Sequence, residues 1–453
     1  MATIDSTVPV PGSHGLPPGP RSLNPFQTLA RLRRDPIGFF ADNAARYGDI
    51  VHFRLGFRTG FQINHPELVR DLLITDSLHH HRGPLLQRAQ VVLGKGLLTS
   101  EEPLHAQQRK IIQPAFHRDR ILQYGEFMLA CAQRQSDAWR EGQIIDLHAE
   151  TARLTLAVVG SALFGTGFEA ESGEITAVTT EFMSLIGLVM LPFSKLVMKL
   201  PLNAVRRFRR AQERFDEIVL AMIRDRMKSG EDRGDLLSTL LAAQQSEGGG
   251  EDVARQVRDE CVNLILAGHE TVSNALTYTV LFLARRPDVA KRIRDEIAQV
   301  AGDAPLAARH FEKLVFTRAV LAESMRLFPP AWALARTVTS EYSIRGYRIK
   351  KGAIVFTCTY VMHRDPRFFP EPLEFRPERF LAPSHPRFAY FPFGAGPRQC
   401  IGEGFAWMEG VLVLATLMRS WNFEPQFKGD PPLYPSVTLR PLHAVPVRLT
   451  KNV

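Results

Sequence analysis

The spacing of apolar and polar positions predicts a small sheet near the N-terminus and helices through most of the remaining chain. Gly15-Leu16-Pro17-Pro18-Gly19-Pro20 is an extended, proline-stiffened entry. Pro36 to Tyr47 reads as a helix. Val51, Phe53 and Leu55 then alternate with His52 and Arg54, the period of a half-buried strand, and Gly56 to Gly60 turns the chain into a second strand near Phe61 to Ile63. Pro66 to Leu73 returns to helix, and Asp76 to Ser100 reads as irregular. Arg206 to Gly230 has the pattern of a long amphipathic helix, and Ser246 to Glu251, with three glycines, reads as a surface loop. Asp252 to Arg285 reads as one continuous helix, longer than most globular helices. Tyr342 to Ile349 and Gly352 to Phe356, joined by Lys350-Lys351, predict a second hairpin, and Glu403 to Leu414 reads as a buried helix.

Glu181 to Pro201 is the most apolar stretch, but Pro192 breaks it and Lys195 and Lys199 interrupt it. A bilayer span needs about 20 apolar residues in a row, so core and membrane-surface contact remain as readings. The N-terminus, polar and rich in Pro and Gly, has no basic start followed by an apolar run, so neither a signal peptide nor an integral membrane anchor is expected.

Composition narrows the picture. The 453 residues are 45% hydrophobic and 23% charged, ordinary for a globular protein, with no linker, repeat or low-complexity tract. Residues 1–20 are expected to form a flexible segment and 21–453 a single large domain. Cys131, Cys261, Cys358 and Cys400 are widely spaced, which argues against disulfides or structural zinc and suits a reducing, cytoplasmic setting. A net charge of +9 is scattered rather than striped, so nucleic acid is not an expected partner, while an acidic protein partner, an anionic membrane surface or solubility alone remain as readings. Three neighbouring histidines, His79 to His81, point in different directions on an extended chain, which disfavours a metal site.

The densest chemistry lies in Phe391-Pro392-Phe393-Gly394-Ala395-Gly396-Pro397-Arg398-Gln399-Cys400-Ile401-Gly402. This turn holds Cys400 just before a helix N-terminus, where free N–H groups favour a thiolate. Gly394, Gly396 and Gly402 allow φ > 0 or close approach to something flat, and Arg398 can pair with an anion near the sulfur. A thiolate, a close backbone and an anion partner suit haem, with iron on sulfur and a propionate on arginine. The competing reading makes Cys400 a small buried hydrophobe.

With Phe393, Gly396, Arg398, Cys400 and Gly402 at every fixed position, Phe-x-x-Gly-x-Arg-x-Cys-x-Gly resembles the haem-thiolate loop of the cytochrome P-450 family. The rest of the chain carries the family's other parts in order. His105 and Arg109, four apart and followed by Gln113-Pro114-Ala115-Phe116, are similar to its propionate-binding helix. Ala267-Gly268-His269-Glu270-Thr271, in the middle of the long helix, resembles its oxygen-binding groove; Gly268 weakens a helix there and needs a reason, such as close approach of a ligand. Glu323-Ser324-Met325-Arg326 and Pro377-Glu378-Arg379-Phe380 resemble its Glu-x-x-Arg helix and Pro-Glu-Arg-Phe partner, implying a buried structural triad of Glu323, Arg326 and Arg379. Arg336 stands where the family often has another propionate arginine. Val272 departs from the pattern, where many members have a second Thr or Ser.

The resemblance implies a mainly α fold with small sheets, the P-450 fold of a soluble bacterial type, and a haem-thiolate monooxygenase with haem b. Cys400 would be the axial iron ligand. Arg398, His105, Arg109, Arg336, Phe393, Gly394, Ala267 and Gly268 would contact the haem, and Glu270 and Thr271 would deliver protons to dioxygen. One oxygen atom would enter an apolar small molecule such as a terpenoid, fatty acid or other secondary metabolite, held between Arg82 to Leu98, a Phe182 to Phe193 lid and the long helix. Without a flavin, nicotinamide or iron–sulfur motif, electrons would come from a ferredoxin or flavodoxin with its reductase. The alternatives are a peroxide-driven or non-oxygenating haem enzyme, and a haem-binding sensor or carrier.

Overall fold

Local capping sets many element boundaries. In the computed structural model, residues 15–21, 24–165, 177–179, 181–182, 185, 194–246 and 253–452 are described. The helix Pro36–Tyr47 starts where the Asp35 carboxylate accepts from the Gly38 N–H and stops at Gly48, which takes φ +81°. The chain divides into two compact units: one holds the residues up to Pro84 with Ala333–Pro372 and His385–Gln399, the other Leu85–Trp332, Leu373–Ser384 and everything from Cys400 onward.

The smaller unit is built on a five-stranded sheet in the order Ile50–Leu55, Arg58–Ile63, Ile354–Thr357, Leu334–Val338, His80–Arg82. Its neighbours are antiparallel except Arg58–Ile63 with Ile354–Thr357. Phe61, Ile63, Val69, Leu72, Val355 and Phe391 fill its core. Two expectations change here. The segment 76–100 is not irregular throughout, because His80–Arg82 is a strand and Pro84–Leu93 a helix. That strand exists by pairing with Leu334–Val338, far away in sequence, so local pattern does not reveal it. The second hairpin is also shorter than expected: Tyr342–Ile344 pairs with Tyr347–Ile349 around Arg345 (φ 42°) and Gly346 (φ 83°), while Ile354–Thr357 joins the large sheet. The histidine run is absorbed into this unit, His79 Nδ1 lying 2.7 Å from Ser340 Oγ and His80 Nε2 lying 2.9 Å from the Tyr342 hydroxyl.

The larger unit is helical. Its axis is the long helix Val253–Arg285, 33 residues and buried along most of its length. Leu147–Phe164, Asn203–Ser229, Leu236–Ser246, Val315–Leu327 and Glu403–Ser420 pack around it. Leu156, Phe208, Phe215, Ile223, Leu240, Val262 and Ile265 belong to one continuous core. A three-stranded sheet (Ile144–Asp146, Pro446–Lys451, Trp421–Pro425) and the pair Leu433–Pro435 with Leu439–Pro441 complete the unit. Of the expected 182–193 lid, Phe182 and Leu185 are described and the rest lies outside the described residues, as does most of the 246–251 loop. Phe182 is buried and stacks on Phe208 at 5.3 Å, so this residue is core.

The expected triad is present. Glu323 and Arg326, both fully buried, join through two hydrogen bonds of 2.7 and 2.8 Å, and Arg379 Nε donates to Glu323 Oε1 at 3.0 Å. The Arg376 N–H also donates to Glu323, and Arg326 Nη2 donates to the Glu374 carbonyl. One carboxylate thus ties the helix Val315–Leu327 to the 374–379 segment. Removing it strands Arg326 in a dry interior, which costs far more than the net value of the pair. Glu323→Ala is expected to destabilise the fold by about 3–5 kcal/mol, read from urea denaturation.

Candidate active site

Seven candidate residues, His105, Arg109, Ala267, Gly268, Glu270, Thr271 and Cys400, lie in the larger unit, and Arg336, Phe393, Gly394 and Arg398 in the smaller one. In the smaller unit, Gly394 takes φ +69°, the geometry the turn was expected to need, and an added Cβ would touch Leu334 Cδ1 at 3.9 Å. Gly396, at φ +71°, is pressed against the Leu73 carbonyl oxygen, 2.1 Å from where a Cβ would sit. Arg398 and Phe393 are half-buried. Arg336 is buried on its strand and donates from Nη1 to the Ala335 carbonyl at 3.0 Å. Gly402 does not use the φ > 0 open to a glycine. It has an ordinary φ of −87° as N-cap of Glu403–Ser420, and an added Cβ would reach Phe116 only at 3.5 Å.

All four cysteines are free, and Cys400 differs from the other three in having an exposed side chain where theirs are buried. The exposure is local, since Cys400 still lies deep among protein atoms, and desolvation dominates its chemistry. Burial pushes the thiol up to about 11, with Glu403 adding to the rise, while the Gly402 N–H and the nearby Arg109 charge pull the other way. The helix N-terminus therefore does not ionise this sulfur unaided. A metal cation bound to the sulfur would, because a coordinating thiol loses its proton on binding.

His105 and Arg109 lie four residues apart on Leu104–Ile112, both shielded from full exposure. His105 is buried, and its Nδ1 lies 2.8 Å from the Glu102 carboxylate. Glu102 was not expected, and it orients the ring.

On the long helix the structure separates residues that the sequence groups. Ala267 is exposed although Ile265, Leu266, His269 and Glu270 are buried, so an open stripe interrupts a packed face. Thr271, one turn on, shares that stripe and donates from Oγ1 to the Ala267 carbonyl at 2.8 Å. Glu270 points elsewhere, because consecutive helical residues diverge by about 100°. Its buried carboxyl faces the C-terminal hairpin, 3.7 Å from Arg440 and hydrogen-bonded to Thr438. Burial holds this carboxyl above the usual carboxylate range against the Arg440 charge and the Thr438 bond. Asn274 continues the seam, donating to Thr438 Oγ1 at 3.2 Å and lying 3.0 Å from His148 Nε2. Arg440 and Thr438 escaped sequence reasoning. The only signal was that a buried glutamate needs a partner.

Gly268 also has a packing partner. A Cβ there would meet Val159 Cγ2 of Leu147–Phe164 at 2.9 Å, so the glycine serves close helix packing. The open groove beside Lys110, Gln113, His117 and Arg120 contains none of the candidates.

These residues suit a haem. The donor set supplies one accessible sulfur, an arginine beside it and further basic groups for carboxylates, and the Ala267–Thr271 stripe is a cradle that a larger side chain would fill. Fold and donors together define a haem-thiolate protein. The chain belongs to the cytochrome P-450 family, whose profile matches residues 17–446. It is 36% identical to cyclooctatin synthase of Streptomyces melanosporofaciens over 96% of this chain and 95% of that one. It is 34% identical to cyclooctat-9-en-7-ol 5-monooxygenase of the same species (88% and 87% covered), and 30% identical to pentalenene oxygenase of Streptomyces avermitilis (88% and 89%). The retinoic acid bound cyanobacterial CYP120A1 superimposes with a TM-score of 0.85 at 25% identity, covering 97% of this chain and all of that one. The protein is an oxidoreductase, a monooxygenase that uses dioxygen, a haem-thiolate cofactor and a separate electron donor.

Gly268→Ala separates packing from ligand approach. The clash with the stiff Val159 side chain should cost about 1–3 kcal/mol in thermal denaturation. Adding Val159→Ala should recover most of that loss. Normal stability with weakened haem retention would instead point to a ligand.

Proposed function

We propose that this enzyme inserts one oxygen atom from dioxygen into a terpenoid, a carbocyclic apolar molecule like those for which its relatives are named. The observation that carries the reading is the similarity, over nearly the whole chain, to proteins named for cyclooctatin and pentalenene oxidation. Haem b, when bound, supplies dioxygen activation and O–O cleavage, helped by electron donation from a thiolate.

The protein residues take the other roles. Cys400 ligates the iron, and Arg398, His105, Arg109 and Arg336 hold the propionates, a reading supported by the absence of full exposure at all four basic residues. Phe393 and Gly394 line the cofactor from the cysteine loop, and Ala267 and Gly268 leave room for it on the long helix. Thr271, anchored to the Ala267 carbonyl, keeps a hydroxyl in the open stripe, where it can hold a proton-bearing water. Glu270 takes the second proton-delivery role from its own face of the helix, where burial beside Arg440 holds its carboxyl above the usual carboxylate range. Residues 21–453 act as one catalytic domain after a short leading segment. A ferredoxin or flavodoxin with its reductase supplies electrons, and four free cysteines suit a cytoplasmic setting. Among the described residues no helix is long and apolar enough to cross a membrane.

Three experiments test this reading. Cys400→Ser should abolish the thiolate-type spectrum of the reduced carbon-monoxide complex; persistence of that spectrum would mean that another cysteine ligates, although all three others are buried. Thr271→Ala should leave substrate and carbon-monoxide binding nearly unchanged, while product per reductant falls several-fold and peroxide rises. An unchanged ratio in a normally folded variant removes Thr271 from the chemistry. Difference spectra with cyclooctat-9-en-7-ol and pentalenene, against a fatty acid, decide the substrate class.

A further inference from the structure

One turn of the long helix, upstream of the groove, holds a loop in place through side chains that the catalytic reading does not use. Asp259 Oδ2 accepts the Lys95 N–H at 2.8 Å, Glu260 Oε2 the Leu97 N–H at 2.9 Å, and Asn263 Oδ1 the Leu98 N–H at 3.2 Å. Asn263 Nδ2 donates back to the Leu93 carbonyl at 2.8 Å. Arg258 braces the arrangement, bonding Asp259 at 2.8 Å and pairing with Asp216 of Asn203–Ser229. Two glycines let the loop lie against the helix. A Cβ on Gly94 would fall 2.0 Å from Asp259 Oδ2, and one on Gly96 would fall 2.5 Å from Asn263 Nδ2.

The register matters. Asn263, Ala267 and Thr271 are spaced i, i+4, i+8 and lie along one stripe, with Asn263 only about 6 Å of helix rise from Ala267. The loop therefore crosses the helix at the end of the open groove, and Leu98 is brought there by its own backbone bond. Hydrophobic packing alone would not require this array. Glu260 and Asn263 are each 2% exposed, and a buried carboxylate is costly unless its partners are in place. Burial pushes Glu260 up to about 7, with the Leu97 N–H and Gln256 opposing and Asp259 adding to the rise.

We infer that Asp259, Glu260 and Asn263 are positioning residues that clamp Gly94–Leu98 across the long helix as the roof of the Ala267–Thr271 groove, and so set how tightly an apolar substrate is retained there. The inference rests on the proposed function for what occupies the groove, but the clamp is a property of the chain itself. It acts through loop position, so it should affect capture of an apolar guest and leave the cysteine–iron bond untouched.

The test uses Glu260→Gln, Asn263→Ala and Gly96→Ala, the last of which pushes the loop off the helix without altering the helix. Hydrogen exchange is measured by peptide over residues 93–100, in both the haem-free and the haem-loaded protein. Phenylimidazole, an apolar iron ligand, is titrated spectrally beside carbon monoxide. In Asn263→Ala and Gly96→Ala, exchange over 95–98 should quicken by about tenfold or more, the loss expected for a broken bond to a buried partner. Phenylimidazole affinity should fall by a similar factor while the carbon-monoxide spectrum stays thiolate-type. Glu260→Gln, which can still accept the Leu97 bond, should lie between these variants and wild type. Wild-type exchange in both Asn263→Ala and Gly96→Ala would overturn the clamp. Faster exchange with unchanged phenylimidazole affinity would overturn its role in retention. If wild type itself gave no thiolate-type spectrum, the proposed function and the retention role would both fall, while exchange in the haem-free chain would still decide the clamp.

Discussion

A helix buried along most of its 33 residues needs protein partners for most of the polar groups it buries, and this constraint orders the larger unit. The long helix meets it in different ways at successive levels. Near its start, Asp259, Glu260 and Asn263 bond to the backbone of a loop. In the middle, the Thr271 hydroxyl turns back on the Ala267 carbonyl of its own helix. On another face, Glu270 and Asn274 share Thr438 of the C-terminal hairpin. Ser273 and Thr277 then pair with Thr151 of Leu147–Phe164 at 3.0 and 2.8 Å. Each solution beyond the helix's own backbone attaches a distant segment to it, so polar satisfaction and tertiary assembly are the same event.

The open stripe at Ala267 and Thr271 is defined by contrast with these levels. Small side chains there leave surface uncovered on a helix that is otherwise packed, which is what a resident flat group requires. The cysteine obeys the same logic from the other side. Burial alone makes Cys400 a poor acid, and the local N–H and arginine offset only part of that penalty. A thiol so placed would gain its charge from a bound metal cation, with the protein contributing position and limited solvent access. Glu323 shows the purely architectural version: one carboxylate satisfied by two arginines and a backbone N–H joins chain segments more than fifty residues apart.

The sequence by itself determined the elements whose causes are local. Helix limits at Pro36–Tyr47 follow from capping and glycine chemistry, the burial of Glu403–Ser420 from a mostly apolar run, and the length of Val253–Arg285 from continuous helical spacing. The cysteine loop was legible because its chemistry is compressed into a dozen consecutive residues. Only tertiary structure decided what depends on distant partners. His80–Arg82 is a strand because of Leu334–Val338, and Ile354–Thr357 leaves its expected hairpin for a parallel neighbour near the N-terminus. Gly268 packs against Val159, Glu270 faces Arg440 rather than accompanying Thr271, and Gly94 and Gly96 are explained by side chains more than 160 residues away. The physical reason is common to all of these. A residue's intrinsic geometry is written in its own neighbourhood, whereas the atom that satisfies or obstructs it is supplied by whichever segment the fold brings alongside.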